Sequence, residues 1–546
     1  MVARRTLLYP RGRSVNGMPH TIYDVIITGG GLAGLCLARQ LRQEQPDIRI
    51  LVVEKMVHPV PEAAHKVGES SVEIAAHYFS SVLGLQDHLA ARQLPKLGLR
   101  YFFTENRNSD VATRVEAGPR DFPKVPSFQL DRGRLENFLL EQNRERGVDV
   151  FDGVKVKGVE FGDPYHRVDI EVDGRVHAFR GRWVVDGTGR HGLLRRKLGL
   201  TRPATHKANA VWFRMQTRIR IDDWASGPSW TSRVPSGERW LSTVHLMGRG
   251  YWTWLIPLAS DSHSIGIVVD ADLHPYATMN RFDRAMQWLH RFEPQCAAYL
   301  EDHRAQLDDF LGLHHFAHAC TQMYSADRWA LIGEAGVFTD PFYSPGSDFI
   351  AIGNDLVSEL IGRERRGEDI AAHAAYFSRM YLRLYAAFLK LYDGQYPIMG
   401  NAQVMCVKVG WDNACYWAIS ALLYFHRKYR DLDYMQQRDP LLTRFFYLHT
   451  RMQAKLRQWD LDDTANSYGH AHVNYMDVPY LKALQQGLAD PLTDEQLTAR
   501  LEENFARLEQ FADVLMRMPA GVTLDRDAAG FDNVTALQLP RASVTA

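Results

Sequence analysis

The stretch YDVIITGGGLAGLCLARQLRQEQPDIRILVVEK, residues 23–55, restricts the fold more than any other part of this chain. Residues 25–27 are a short apolar run that reads as a buried strand. Gly29, Gly31 and Gly34 follow in GxGxxG spacing and open a helical stretch. A second apolar run, 48–53, ends at Glu54, twenty residues past the last glycine. The first glycine makes a tight turn, the second lets backbone approach a pyrophosphate, and the third lets helix pack on strand. The helix N-terminus then faces phosphates, and Glu54 can take both ribose hydroxyls. Strand, turn, helix, strand and acid in this order predict an α/β dinucleotide-binding unit at the front of the chain.

A chain of 546 residues exceeds one ordinary core, so two or three domains or one large composite is expected. Lys and Arg number 64 and Asp and Glu 64, which leaves no net field to favour nucleic acid or an anionic membrane. Cys36, Cys296, Cys320, Cys406 and Cys415 form no CxxC pair. Neither a zinc site nor a disulfide framework is implied, and a reducing cytoplasm fits. No apolar run reaches the length of a membrane span. Residues 1–17 carry four arginines and no acid. Residues 1–21 are expected to be a disordered basic extension, with Met18 as the true start. His314, His315 and His318 make HHxxH without the acid or helix of a zinc site. No metal is expected there.

Three later segments bear on the cofactor. LDRGRLENFLLEQNRERGVDVF, 130–151, puts Arg132 before an amphipathic helix of Leu135, Phe138 and Leu139. VVDGTGRHG, 184–192, runs a strand into a glycine-rich turn. RWALIGEAGVFTDPFYSPGSD, 328–348, is a strand, a Gly-Glu pair, then a proline- and glycine-rich turn. This order resembles the class of FAD proteins that includes aromatic hydroxylases. The resemblance implies Arg132 along the FAD and Gly333 and Glu334 at its ribityl chain, with Glu334 where most of that class has Asp. A second dinucleotide fingerprint is not found, so no nicotinamide site is expected.

Further motifs narrow the resemblance. WTWLIP, 252–257, matches a WxWxIP motif, with Trp252 and Trp254 on one face of an extended segment and Ile256 and Pro257 following. KVGESS, 66–71, resembles a VGE[AS] segment carrying Gly68, Glu69 and Ser70; FTDPFYSPG, 338–346, resembles FxDPxxSxG and carries Pro341. In LPKLGLRYFF, 94–103, Lys96 reads as the start of a strand with alternating Leu97, Leu99, Tyr101 and Phe103. With the glycine fingerprint these motifs, in this order from about 23 to 355, resemble the flavin-dependent halogenases. The resemblance implies a two-component enzyme taking reduced FAD from a separate flavin reductase, with O2 and chloride or bromide as co-substrates. It implies that Lys96 is the catalytic lysine that relays hypohalous acid, and that Trp252, Trp254, Ile256 and Pro257 wall the substrate off from the flavin. Halide would lie on backbone N–H groups of the 338–346 turn; Pro345 has none, so Gly346 and Ser347 must serve.

Tyr343 stands where tryptophan-type relatives carry a glutamate. The chain is thus closer to the phenol-type branch, acting on a phenolic or pyrrolic arene, free or tethered to a carrier protein. A flavin-dependent aromatic hydroxylase, an isoprenoid-type reductase on the same fold, and a non-catalytic FAD-binding partner remain alternatives. Lys66, His77 and Ser344 receive no chemical role.

The expected fold is a GxGxxG α/β FAD-binding module, aromatic-hydroxylase-like, with an inserted mixed β-sheet over the flavin and a mostly helical C-terminal region. The module spans 22–366, with its substrate-side sheet at about 96–130 and 200–325; 367–546 would be the helical cap. Phe377, Tyr381, Leu384, Tyr385 and Phe388 recur at helical spacing. Asp439 and Pro440 read as a cap and first residue of a helix, and Thr493 to Gln496 as a capping box. The tail past about 522 is expected to be loosely ordered.

Overall fold

A computed structural model describes residues 22–63, 67–104, 107–172, 174–462 and 471–517. The expectations for the basic extension, Lys66 and the tail past 522 lie outside these residues.

The fingerprint forms the strand Ile22–Thr28, the helix Leu32–Glu44 and the strand Ile50–Val53, the two strands parallel. Every residue of Ile50–Val53 is buried, as a parallel strand covered on both faces requires. The sheet extends in parallel to Asp149–Phe151 on one side and to Arg175–Asp186 and Trp329–Leu331 on the other. An antiparallel pair, Lys155–Glu160 and His166–Val172, hangs from Arg175–Asp186. Gly29, Gly187 and Gly333 therefore follow the carboxyl ends of strands of one sheet, where α/β sheets bind ligands.

A second eight-stranded sheet runs in the order Leu307–Leu313, Ala208–Met215, His263–Asp270, Tyr251–Pro257, Thr243–Gly248, Leu99–Phe103, Glu116–Ala117, His472–Val473. Its central strands are buried on both faces. Trp212, Trp252, Trp254 and Ile256 join the main core, while Phe213, Tyr251, Leu255 and Ile267 join a separate apolar cluster under the helices Phe282–Phe292 and Pro294–Asp302. His472–Val473 gives the C-terminal region an edge strand in this sheet. The helices Gly346–Arg365, Ala371–Leu389, Ala402–Cys415, Leu432–Asp462, Pro479–Gln486 and Asp494–Arg517 make up most of the rest. No described helix is long and apolar enough to cross a membrane.

Two local expectations fail. Lys96 does not begin the strand of Tyr101. It lies in a link between Leu94–Pro95, paired with Phe128–Gln129, and Leu99–Phe103. Gly98, at φ +65°, turns the chain between them, and Leu97 packs with Val234 and Leu241 instead. Pro440 does not start a helix but sits inside Leu432–Asp462. Tyr434 and Met435 are buried, and burying them upstream outweighs the hydrogen bond that proline costs. The capping box does form: Thr493 Oγ1 accepts from Gln496 N at 3.3 Å, and Thr493 N donates to Gln496 Oε1 at 2.9 Å.

Candidate active site

The three glycines differ in what surrounds them. A Cβ on Gly29, whose φ is +111°, would lie 2.3 Å from Gly187 O, and one on Gly34 would lie 2.0 Å from Gly29 O. Gly31 has nothing within 4 Å of that position. Two glycines thus make the turn and the helix packing, and the middle one faces open space. Glu54 is fixed beside this turn, accepting from Gly30 N at 2.6 Å and Met56 N at 2.7 Å.

Gly31 opens onto a large cavity. Gly68, Glu69, Ser70 and Arg132 line it, with Gly333, Glu334 and Pro341. Arg132 donates from Nη1 to Val67 O at 2.7 Å and from Nη2 to Glu136 Oε1 at 2.9 Å. Arg190 also lines the cavity, 3.8 Å from the Glu334 carboxylate. An open glycine turn beside two guanidinium groups suits a pyrophosphate, so the residues present fit FAD.

Trp252, Trp254 and Ile256 line the same cavity. The indole centroids are 5.6 Å apart, and the side chains share a face. Pro257, paired with His263 at the strand end, is not among the lining residues; nor are Gly29, Gly34 and Glu54. The indoles are pinned. Trp254 Nε1 donates to Ser264 Oγ at 3.1 Å, and Gly266 leaves the room its ring needs. Trp252 Nε1 donates to Tyr396 Oη at 3.0 Å, Tyr396 Oη donates to Asp340 Oδ2 at 2.7 Å, and His206 Nε2 meets that oxygen at 2.6 Å.

Pro345 caps the helix Gly346–Arg365, so Gly346 and Ser347 are its first two residues. Such N–H groups have no acceptor within the helix, and the dipole of a helix this long favours an anion. Both residues line the larger cavity.

Lys96 lines a second, smaller cavity, whose walls are mostly apolar. It is 1% exposed. Nζ donates to Ser70 Oγ and to Ser71 O, each at 2.8 Å. Ser70 lines the larger cavity and Lys96 the smaller, so the amine stands in the partition between them. Burial pushes the Lys96 ammonium down to about 7, opposed by the Glu73 and Asp348 carboxyls. Burial likewise pushes Asp348 up to about 8, and raises Glu73. Asp348 accepts from Ala75 N at 2.9 Å and Tyr416 Oη at 2.8 Å.

Glu73 and Asp348 line the Lys96 cavity, and sequence reasoning missed both. Each lies within a few residues of a recognised motif, a usable signal; Asp412, on the helix Ala402–Cys415, has none. Of the residues left without a role, His77 stacks on Phe425 at 4.1 Å and His318 Nε2 lies 2.9 Å from Glu334 O. Among the described residues no group of His, Cys, Asp or Glu could hold a metal ion.

The sequence profile of the FAD binding domain family matches residues 22–271. Flavin-dependent halogenase chlA of Dictyostelium discoideum is 26% identical over 432 residues, 73% of this chain and 70% of its own. A 1H-pyrrole-2-carbonyl-(peptidyl-carrier protein) brominase of Pseudoalteromonas luteoviolacea is 26% identical over 335 residues, 60% of this chain and 74% of its own. The crystal structure of halogenase PltM in complex with phloroglucinol and FAD superposes with a TM-score of 0.65 at 17% identity, covering 90% of this chain and 96% of that one. An FAD binding domain profile thus lies over the glycine turn, and the chain is similar to flavin-dependent halogenases along most of its length.

Proposed function

We propose that this enzyme chlorinates or brominates an electron-rich phenolic or pyrrolic substrate, with the halogen carried by Lys96. The observation that carries the reading is one buried amine in the partition between a glycine-turn cavity and an apolar one. Gly31, Gly68, Glu69, Ser70, Arg132, Gly333, Glu334 and Pro341 would hold FAD, with Gly29, Gly34 and Glu54 shaping the turn. Reduced FAD supplies the oxygen activation that converts halide to hypohalous acid. Gly346 N–H and Ser347 N–H would hold chloride or bromide at the helix N-terminus. Trp252 and Trp254, bulky and without a basic group, keep the arene out of the larger cavity.

A neutral amine has two N–H bonds, and Ser70 Oγ and Ser71 O accept two from Lys96. Its lone pair is then free to attack. The N–halogen bond forms as the O–halogen bond of hypohalous acid breaks, and water leaves with one amine proton. The arene meets this species in a dry cavity, where orientation replaces chance encounter.

A single dinucleotide fingerprint supports reduced FAD arriving from a separate flavin reductase, and unpaired cysteines support a cytoplasmic setting. Two relatives act, by name, on carrier-bound pyrroles, so free and carrier-bound arenes both belong in the test. Phenols, pyrroles and indoles are incubated with the enzyme, FAD, NADH, a flavin reductase and either halide. Halide-dependent mass shifts on phenols or pyrroles are expected. Hydroxylation without halide dependence, or NADPH oxidation by the chain alone, overturns the reading.

A further inference from the structure

The Lys96 cavity has a polar wall that halogen relay does not use. Tyr343 and Asp412 both line it. Tyr343 Oη donates to Asp412 Oδ2 at 2.8 Å. Lys408, one turn earlier on the helix Ala402–Cys415, donates to the same oxygen at 2.7 Å and to Gln453 Oε1 at 2.6 Å. Gln453 Nε2 donates to Asp412 Oδ1 at 2.7 Å. Lys408 is 0% and Gln453 1% exposed. A buried ion pair adds little net stability, so stability alone gives no reason for one at a ligand-sized cavity.

The donor inventory shows what this wall recognises. Tyr343 has one O–H, already given to Asp412, so its oxygen offers the cavity only lone pairs. Asp412 takes three donors and, ionised, has capacity for a fourth. Both groups accept; neither donates. A ligand reaching them must bring a hydrogen-bond donor, and an ether oxygen would face acceptors. Tyr101, Tyr392, Cys415, Arg457 and His449 are the other titratable or charged neighbours. Burial raises Tyr343 well above the ordinary phenol value and pushes His449 down to about 4, so both are neutral near pH 7. Tyr343 also lies three residues before Gly346 in the turn that opens the helix Gly346–Arg365, which ties this wall to the halide side.

We infer that Tyr343 and Asp412 form the hydroxyl site of a phenolic substrate and take its proton as the ring is halogenated. This rests on the halogenase reading above. The substrate O–H proton moves to Tyr343 Oη as the Tyr343 proton moves to Asp412 Oδ2. The phenolate, with Lys408 as its nearby cation, is a stronger nucleophile than the phenol. Its ring carbon bonds the halogen as the N–halogen bond at Lys96 breaks. The displaced ring proton returns to the Lys96 nitrogen, and Asp412 gives its proton back through Tyr343. Tyrosine and aspartate thus do here what a single glutamate could do in an indole enzyme.

The test compares phloroglucinol with 1,3,5-trimethoxybenzene, which lacks the proton, using the holoenzyme with a flavin reductase and chloride. Tyr343→Phe keeps the ring and the Lys408–Asp412 pair. It should lower the phloroglucinol rate about 100-fold, the scale of a lost proton acceptor, while the slow trimethoxybenzene rate, which meets one acceptor fewer, does not fall. The variant's phloroglucinol rate should then climb with pH as the substrate ionises by itself, while the wild-type rate climbs less. Equal phloroglucinol rates in wild type and Tyr343→Phe, or equal losses on both arenes, overturn the inference and leave the halogenase reading standing. A wild type that halogenates no arene in the wider panel overturns that reading instead.

Discussion

Lys96→Met should make the folded protein more stable while abolishing product. Burial holds the Lys96 ammonium from its ordinary 10.5 down to about 7. At about 1.4 kcal/mol per pH unit, keeping this side chain buried costs about 5 kcal/mol near neutral pH. Methionine fills a similar volume without that cost. It also forfeits the hydrogen bonds to Ser70 Oγ and Ser71 O, each about 1 kcal/mol, which leaves a net gain of about 2–3 kcal/mol. The sign follows from proton binding. The folded value lies below the unfolded one, so between about 7 and 10.5 the unfolded chain binds the extra proton and wild-type stability rises with pH. The penalty is full at and below about pH 7. The advantage of Lys96→Met should therefore be greatest there and shrink toward pH 10. Denaturant unfolding of FAD-free wild type and variant, at about pH 6.5 and about pH 9.5, measures it. A wild type more stable than Lys96→Met at the lower pH, or a difference independent of pH, would refute the reasoning.

Gly31→Ala should leave the stability of the FAD-free protein unchanged and weaken FAD binding, because only open space meets the new methyl. Gly34→Ala, whose methyl would strike Gly29 O, should destabilise the fold itself; equal effects on unfolding and FAD titration would contradict both expectations. Trp252→Ala or Trp254→Ala should cost about 3–5 kcal/mol and lower halogenated product per flavin oxidised; unchanged coupling in both would reduce the pair to core packing. Product per flavin oxidised should rise as the pH passes upward through about 7 and Lys96 loses its proton, whereas a fall would make the ammonium the working form.

The FAD half of the site was legible because its constraints are local. The tight turn, the open backbone and the helix contact each demand glycine at one position, and the structure shows a separate surrounding for each. The paired tryptophans were legible for a similar reason, since two residues apart on a strand means one face. The substrate half was not. Glu73, Asp412 and the pair Tyr343 and Asp348 come from three segments that meet only through tertiary packing, and no spacing rule links the three. Strand alternation misled around Lys96 because Leu99–Phe103 is buried at every position and Gly98 breaks the run. Proline misled at 440 because burial of Tyr434 and Met435 carries the helix through it.

The central claim is that one buried amine carries the halogen between two cavities. The direct measurement is halogenated arene formed per reduced flavin oxidised, for wild type and Lys96→Met, with folding checked by bound FAD. The glycine turn and the helix N-terminus are untouched by the substitution, so FAD binding and flavin oxidation should persist while product falls below detection. A near-normal product yield from Lys96→Met would contradict the claim and remove Lys96 from the reaction.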